Sequence, residues 1–377
     1  MFKPKFCPNI ECSNHVYPGS TRRNWFSKDG FYHTKAFGKV QRFRCKHCKQ
    51  RFSEQTFSLN YHVKKKICYR SILDGLISSS SISDISRKEG VSRHTIINRE
   101  RRMAIQAIAV HSKLLSNISL QEPIVCDGFQ SLVTNFYFPN NINIAIGKSS
   151  QFFYCMNYAQ IKRAGKLTWK QKIKKKQNEE KHYIDPHEIE TSFSLLIDSI
   201  VNIPVIHASS TFSLYTDKKK EYGLAIRKNR ILQLYKDSNR FEHIQISSKE
   251  PRTVNNPLFA VNYMDRQFRK DLAEHTVKSI CFGRNVNNQM ERLAIYRFYH
   301  NCLKKFRVRG NTYLTHSEVA GISENTRKES IRMFFHERLF ISQVRPIETD
   351  LKILGRNYST PLINDREDNV KKTKRIA

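Results

Sequence analysis

Two pairs of closely spaced cysteines near the start of the chain constrain its folding more than any other feature. The spacings are Cys7-x4-Cys12 and Cys45-x2-Cys48, and each pair places two thiolates close enough to share one ion. A structural zinc site takes four such ligands in a tetrahedron. The sequence therefore predicts one zinc ion bound by these four cysteines, and the metal would supply much of the folding free energy of a domain with little core.

The segment between the two pairs predicts the hairpin of a zinc ribbon. Its strands are expected at 31–33 and 40–44, with the turn near 37–39, and the ribbon is assigned residues 1–58. Three histidines are substitute ligands, each less favoured than the cysteine beside it: His15, His33 and His47. The alternative is that the four thiols are small core residues without a metal.

The charge of the chain points to a polyanionic partner. Against 66 Lys and Arg residues stand 33 Asp and Glu residues, a formal net charge of +33, while 39% hydrophobic residues are enough to form folded domains. No apolar run approaches the roughly 18 residues of a membrane span, so no membrane partner is expected. The other cysteines are scattered singly among a total of nine, which fits a reducing compartment and predicts a cytoplasmic protein.

A helix-turn-helix is predicted within residues 59–118. Ile82 and Ile85 suit a first helix, Gly90 a tight turn, and Ser92 the N-cap of a second helix. The exposed positions of the second helix would then offer donors to base edges and phosphates; they are Arg93, His94, Asn98 and Arg101. A helical hairpin that does not bind DNA shows the same apolar pattern and is the alternative.

A second basic segment spans residues 162–176. It surrounds Trp169 with lysines and offers many charges but few groups for directional base pairing, so we predict contacts to phosphates. Four of its lysines are assigned to DNA binding: Lys172, Lys174, Lys175 and Lys176. A solvated surface segment is the alternative.

The region 119–308 alternates strands and helices. Strands are expected at 124–126, 136–146, 152–160, 212–216 and 243–246, and a helix at 189–201, so the element order reads βββαβ with later helices and the fold class is α/β or α+β. Asp127 and Asp217 each end an apolar strand. With a third acid they would hold two Mg²⁺ about 4 Å apart for attack on a phosphodiester, although a lone aspartate at a strand end is commonly a turn or cap residue.

The third acid is chosen by helical phase among the carboxylates that follow the last strand. Glu291 shares a face with Ile295, Phe298, Cys302 and Phe306, a stripe expected to pack against the sheet. Asp265 is the main competitor, on a shorter stripe with Phe268 and Leu272, and Arg269 is its natural structural partner. Asp271 and Glu274 fall on a polar face. We therefore predict that Glu291 completes the site.

In the order of these parts, the chain resembles the bacterial insertion-sequence transposases of the DDE type. Three segments look like the acid-bearing segments of that family, namely IVCDGF at 124–129, YTDKKKEY at 215–222 and NQMERLA at 288–294, while SSKEPRT at 247–253 and NPLF at 256–259 look like the stretch before the third acid. The resemblance implies an RNase H-like catalytic domain, a mixed sheet with flanking helices, over 119–308. It also implies an insertion at about 250–286, and a helical C-terminal extension with a polar tail is expected over 309–377.

The function implied by the resemblance is that of a DNA transposase. The N-terminal modules would bind the terminal inverted repeats, and the catalytic acids Asp127, Asp217 and Glu291 would hold two Mg²⁺ (or Mn²⁺) for strand cleavage and strand transfer. The expected partners are double-stranded DNA, as transposon ends and target, and further copies of the chain in the DNA complex. The expected location is the nucleoid in the cytoplasm of a prokaryote. The alternatives are a DNA-binding regulator without catalysis and a structure-selective nuclease.

Overall fold

The structure, a computed structural model, describes residues 2–19, 23–276, 281–307 and 313–363. The strands are β1 (Phe26–Thr34), β2 (Gly38–Cys45), β3 (Arg51–Ser53), β4 (Ile124–Val133), β5 (Asn135–Gly147), β6 (Phe153–Gln160), β7 (Phe212–Asp217) and β8 (Phe241–Ile246). The helices are α1 (Ser13–Val16), α2 (Tyr69–Leu76), α3 (Ile82–Lys88), α4 (Arg93–Leu115), α5 (Trp169–Lys181), α6 (Glu188–Val201), α7 (Pro204–Ala208), α8 (Lys220–Lys228), α9 (Arg230–Asp237), α10 (Phe259–Asp271), α11 (Val286–Cys302), α12 (His316–Val319), α13 (Glu324–His336) and α14 (Glu348–Leu354). None of the described helices is both long enough and apolar enough to cross a lipid bilayer.

The N-terminal module is a three-stranded antiparallel sheet in the order β1-β2-β3. The β1–β2 hairpin turns at Gly38, whose φ of +65° is one that glycine adopts at little cost. An aromatic cluster that includes Trp25, Phe43 and Phe52 fills its small core. The module also packs on the C-terminal part of the chain, because the rings of Phe6 and Phe340 lie 5.2 Å apart.

The predicted helix-turn-helix is formed by α3 and α4. Gly90 has φ +62° in the turn between them, and the Ser92 side chain accepts a hydrogen bond from the Thr95 N–H as the N-cap of α4. Ile85 and Ile96 are buried where the two helices meet. The glycine turn, the serine cap and the apolar spacing predicted from the sequence are therefore all present in this motif.

The catalytic-domain candidate is a five-stranded mixed sheet in the order β6-β5-β4-β7-β8. Strand β5 is antiparallel to its neighbours β4 and β6, whereas β4, β7 and β8 run parallel. The chain is therefore an α/β protein with a mixed sheet and flanking helices, as predicted. Each predicted strand and the helix at 189–201 overlap an observed element.

Helices cover both faces of this sheet, so β4 is apolar on both sides at its start. Ile124 and Cys126 belong to the core that contains α4, α6 and α8. Val125 and Phe129 belong to the opposite core, which contains α10 and α11. Because strand side chains alternate between faces, Asp127 is on the face that carries α10.

The stretch expected as an insertion at about 250–286 packs against the sheet. It contains α10, which packs on β4 and β5 and buries Val261, Met264 and Phe268 completely. The apolar side chains of α10 recur at helical spacing and fill the face of the sheet beside Asp127, so this segment is part of the core. Its residues 277–280 are outside those that the structure describes.

The C-terminal part is helical up to residue 354, as expected, and it is tied to the sheet domain. Arg297 of α11 donates two hydrogen bonds of 2.8 Å to the fully buried Asp350 of α14, and the Tyr358 hydroxyl donates one to Asn157 of β6. The tail at 364–377 lies outside the described residues.

Candidate active site and metal centre

The four predicted cysteines come together in the N-terminal module. Their sulfur atoms all lie within 4.8 Å of one another, with 3.6 Å between the Cys7 and Cys48 sulfurs and 3.8 Å between those of Cys12 and Cys45. Four ligands at about 2.3 Å from a tetrahedral zinc stand about 3.8 Å apart. The spacing of the sulfurs therefore fits one structural zinc ion.

The histidines near the cysteines have other roles or positions. The two ring nitrogens of His15 are hydrogen bonded to the Cys7 carbonyl oxygen and to the Ser342 hydroxyl, and His33 lies on β1. His47 is nearer, with Nδ1 3.6 Å from the Cys12 sulfur. The cysteines remain the better ligand set, because all four reach one point.

The thiols of the cluster differ in acidity. Burial raises the pKa of Cys7 and of Cys12 above the ordinary thiol value. At Cys48 burial also disfavours the thiolate, but the Gln50 backbone N–H and the neighbouring thiols stabilise it and lower its pKa to about 7. Zinc would bind all four as thiolates, which requires the release of their protons.

A cleft of about 570 Å³, called the aspartate cleft below, opens beside Asp127 of β4 and Asp217 at the carboxyl end of β7. Three aspartates line it, each from a different element: Asp127 of β4, Asp217 of β7 and Asp265 of α10. Four cations line it as well: Lys218, Lys219, Arg252 and Arg269. The structure thus brings two of the predicted acids together with a third that the sequence interpretation ranked second.

Strand register explains why Asp127 and Asp217 share the cleft. Val125 of β4 is paired with Tyr215 of the parallel strand β7, so two residues further along both strands Asp127 aligns with Asp217. In-register residues of neighbouring strands point to the same face. Asp127 accepts a hydrogen bond from the Gly128 N–H at 2.7 Å and Asp217 one from the Lys219 N–H at 3.0 Å, which hold both carboxylates locally.

Asp265 faces these two acids without a partner of its own. Its Oδ1 is buried and has no hydrogen-bond partner, and no ion pair to Asp265 occurs among the described residues. Burial and the charge of Asp127 raise the pKa of Asp265 to about 7, against the opposing effects of Arg269 and Arg252. Burial and the charge of Asp217 likewise raise the pKa of Asp127 to about 6.

The cations of the cleft are held at its rim. The Arg269 guanidinium stacks 4.9 Å from the ring centroid of Phe129 and donates to the Gln130 carbonyl oxygen at 3.5 Å. The Lys219 ammonium is 3.4 Å from the Asn141 side-chain oxygen. Arg269, the expected structural partner of Asp265, therefore does not neutralise it by direct contact.

Glu291, the predicted third acid, is not in this cleft. It is buried on α11, where one carboxylate oxygen is 3.1 Å from Arg101 of α4 and the other is 2.7 Å from Arg356. The members of its predicted apolar stripe within α11 are buried, whereas Phe306 lies beyond the end of the helix and is half-buried. The Phe298 ring stacks 3.8 Å from Phe334 of α13, and the stripe does not direct Glu291 into the cleft. The charge of Glu291 is thus used to join α11 to α4.

The other two candidate carboxylates are also paired. Asp271 accepts a hydrogen bond of 2.7 Å from the Tyr296 hydroxyl and lies 3.5 Å from Lys304. Glu274 contacts Arg292, which also pairs with Glu100 of α4 at 3.0 Å. The sequence signal that would have identified Asp265 is its place on the first helix after the last strand of the sheet.

The carboxylate oxygens of the three aspartates do not all lie within 4.8 Å of one another. Among the described residues, the only group of three or more His, Cys, Asp or Glu side chains whose ligand atoms all lie within 4.8 Å is the cysteine cluster. An ion between the aspartates would therefore have to draw their side chains together. A cation bound between the aspartates would give the unpartnered Asp265 oxygen a ligand and would lower the raised pKa values of Asp127 and Asp265.

The predicted DNA-binding residues are distributed over two surfaces. Arg93, His94 and Asn98 are exposed at the start of α4, while Arg101 is half-buried and paired with Glu291. The four lysines assigned to DNA binding lie on α5, a helix that buries none of its residues. Of these, Lys175 is 3.6 Å from Glu179 on the same helix.

No family model and no curated protein sequence matches the chain.

Proposed function

We propose that the chain is a metal-dependent DNA transposase of the DDE type whose three acids are Asp127, Asp217 and Asp265. The observation that carries the proposal is the cleft in which these three aspartates meet, with one buried carboxylate oxygen of Asp265 left without a partner. An all-oxygen donor set of carboxylates suits Mg²⁺. The revised third acid replaces Glu291, whose ion pairs occupy both of its oxygens.

The order of the elements supports an RNase H-like catalytic domain. After strands β4, β5 and β6 come the helices α5 to α7, then β7, the helices α8 and α9, β8 and α10. This order begins with the βββαβα pattern on which the resemblance to these transposases rests. The acids stand on the first strand, the fourth strand and a late helix in that order. With Asp265 as the third acid, the segment before it, SSKEPRT and NPLF, leads directly into the helix that carries it.

The side chains of the cleft have two roles at a bound phosphodiester, metal binding and charge neutralisation. Asp127, Asp217 and Asp265 would hold two Mg²⁺, which supply activation of the attacking oxygen and stabilisation of the leaving oxygen. Lys219 and Arg252 line the same cleft and would offset the negative charge of the phosphate. The zinc module and the helix-turn-helix would bind the transposon ends, and the net charge of +33 favours association with DNA generally.

The test is cleavage and joining by the purified chain on duplexes taken from the DNA that immediately flanks its reading frame. With Mg²⁺ we expect a 3′-hydroxyl end and its joining to a target plasmid, and we expect Asp265→Asn to lose both while Glu291→Gln retains both. Asp237→Asn, which removes an exposed aspartate at the end of α9, is the matched control. Cleavage without joining would favour the nuclease, and binding without cleavage would favour the regulator.

A further inference from the structure

A second cleft, of about 670 Å³, lies beside α4 and away from the aspartates. Three stretches that are distant in sequence form it: the linker 61–65 after the zinc module, α4, and Arg338 after α13. Six cations line this basic cleft and no carboxylate does: Lys64, Lys65, Arg99, Arg101, Arg102 and Arg338. Of these six, only Arg101 forms an ion pair with a described carboxylate.

The guanidinium groups of the basic cleft are held in place by the protein itself. Arg102 donates to the carbonyl oxygens of Leu59 and Tyr61 at 3.0 and 2.6 Å. Two guanidiniums lie over the Tyr61 ring, with Arg102 4.0 Å and Arg338 3.8 Å from its centroid. These donors are therefore oriented before any ligand arrives, which reduces the entropy lost on binding.

Arg99 places a buried donor without a hydrogen-bond partner in the lining of the cleft. The residue is only 6% exposed, and its Nη2 donates to the Lys65 carbonyl oxygen at 3.1 Å, whereas its buried Nε has no hydrogen-bond partner. A buried charged donor without a partner is costly. An anion in the cleft would supply both the acceptor and the opposite charge.

The chemistry of the cleft favours the backbone of a duplex over an unpaired strand. Proteins that bind single strands without sequence preference stack the bases on aromatic rings. Here the Tyr61 ring already has two guanidiniums over it, those of Arg102 and Arg338, which compete with a base for stacking. The cleft offers cations and N–H donors, which are the groups that contact phosphates.

We propose that the basic cleft binds consecutive backbone phosphates of double-stranded DNA and so positions the duplex along α4. This inference rests on the proposed function only in taking DNA as the polyanion. It adds contacts from the linker and from Arg338 to the exposed start of the helix, from which Asn98 also lines the cleft. Such contacts set the register of a duplex on the protein and carry no sequence information.

The experiment measures the affinity of the full chain for a labelled duplex of random sequence at several salt concentrations, without Mg²⁺ and with zinc retained. The variant is Lys64→Gln with Lys65→Gln, both exposed. We expect the slope of log K against log salt to become shallower by about 0.9 for each phosphate that is no longer neutralised, hence by up to about 1.8. The matched control, Lys328→Gln with Arg332→Gln on α13, should leave the slope unchanged.

Arg338→Gln provides an independent arm because it alters the cleft from a different part of the chain, and it should also flatten the slope. Equal slopes for wild type, cleft variants and control would overturn the inference, as would tighter, cleft-dependent binding of a single strand than of the duplex. Binding is measured without Mg²⁺, so Asp265→Asn should bind like wild type. The cleavage assay therefore tests the proposed chemistry independently of this binding experiment.

Discussion

The charge of Asp127 opposes the ionisation of Asp265 across the aspartate cleft. Burial and the Asp127 charge raise the pKa of Asp265 to about 7, and Asp127 itself, disfavoured by burial and by Asp217, has a pKa raised to about 6. Like-charged carboxylates held together in a folded protein are an energetic cost unless a cation binds between them. This cost is the basis of the first two predictions.

We expect Asp265→Asn to stabilise the magnesium-free protein at pH 8. The pKa of Asp265 is about 7 in the folded state against 3.8 ordinarily, so the folded state binds the proton more tightly and stability falls as the pH rises from about 4 to about 7. One pKa unit corresponds to about 1.4 kcal/mol, so for this half-buried group the gain at pH 8 is about 1 to 3 kcal/mol. The measurement is urea unfolding of both proteins, with zinc retained. A larger advantage for the variant at pH 4 than at pH 8 would contradict the assignment.

Mg²⁺ should raise the melting temperature of the wild-type chain and leave that of Asp265→Asn nearly unchanged. A ligand that binds only the folded state stabilises it in proportion to its affinity. Because protons compete for the same carboxylates, the effect should weaken as the pH falls below about 6, where Asp127 is also protonated. Calorimetry with Mg²⁺ and with K⁺ at equal ionic strength separates a bound ion from screening. An identical Mg²⁺ effect on both proteins would remove Asp265 from the site.

Glu291→Gln is expected to affect stability and spare catalysis. The Glu291 carboxylate pairs with Arg101 and Arg356, and removing its charge from this buried cluster should lower the free energy of unfolding by about 3 kcal/mol. Cleavage measured well below the melting temperature should stay close to wild type. A Glu291→Gln variant that is as stable as wild type but inactive would instead indicate that Glu291 acts in catalysis.

Cys45→Ser should release the zinc ion and loosen the packing of the N-terminal module on the C-terminal part of the chain. Trp25 is buried in this module whereas Trp169 is exposed, so in a Trp169→Phe background the fluorescence of Trp25 reports on the module alone. We expect one zinc per chain in the parent, less in the variant, and a red shift of the Trp25 emission. Cys68→Ser, at an exposed cysteine outside the cluster, is the control. Unchanged zinc content in Cys45→Ser would contradict the site.

Replacing Lys172, Lys174, Lys175 and Lys176 by Gln should weaken duplex binding uniformly across sequences. All four lie on α5, which buries no residue, so the change should not disturb the fold. The slope of log K against log salt should fall by about 0.9 for each phosphate that α5 no longer neutralises. Glu179→Gln with Glu180→Gln on the same helix should have the opposite effect on affinity. An unchanged slope would indicate that α5 does not contact phosphates and is a solvated surface helix.

Local sequence features determined much of the architecture. The cysteine spacings predicted the clustering of the four thiols, Gly90 and Ser92 predicted the turn and cap of the helix-turn-helix, and apolar runs predicted the strands of the sheet. These predictions succeed because thiol spacing, a positive φ, a side-chain cap and the periodic spacing of apolar residues all depend on neighbours a few residues apart.

Only the tertiary structure decided which carboxylate joins Asp127 and Asp217. Helical phase placed Glu291 on a buried stripe correctly, but it could not show that Arg101, 190 residues away in sequence, would take its charge. Helix α10 packs beside β4 and so brings the Asp265 carboxylate into the cleft with Asp127 and Asp217. There, one of its oxygens has no hydrogen-bond partner. A buried charge is defined by what surrounds it in space, and periodicity along one helix carries no information about the helix that packs against it.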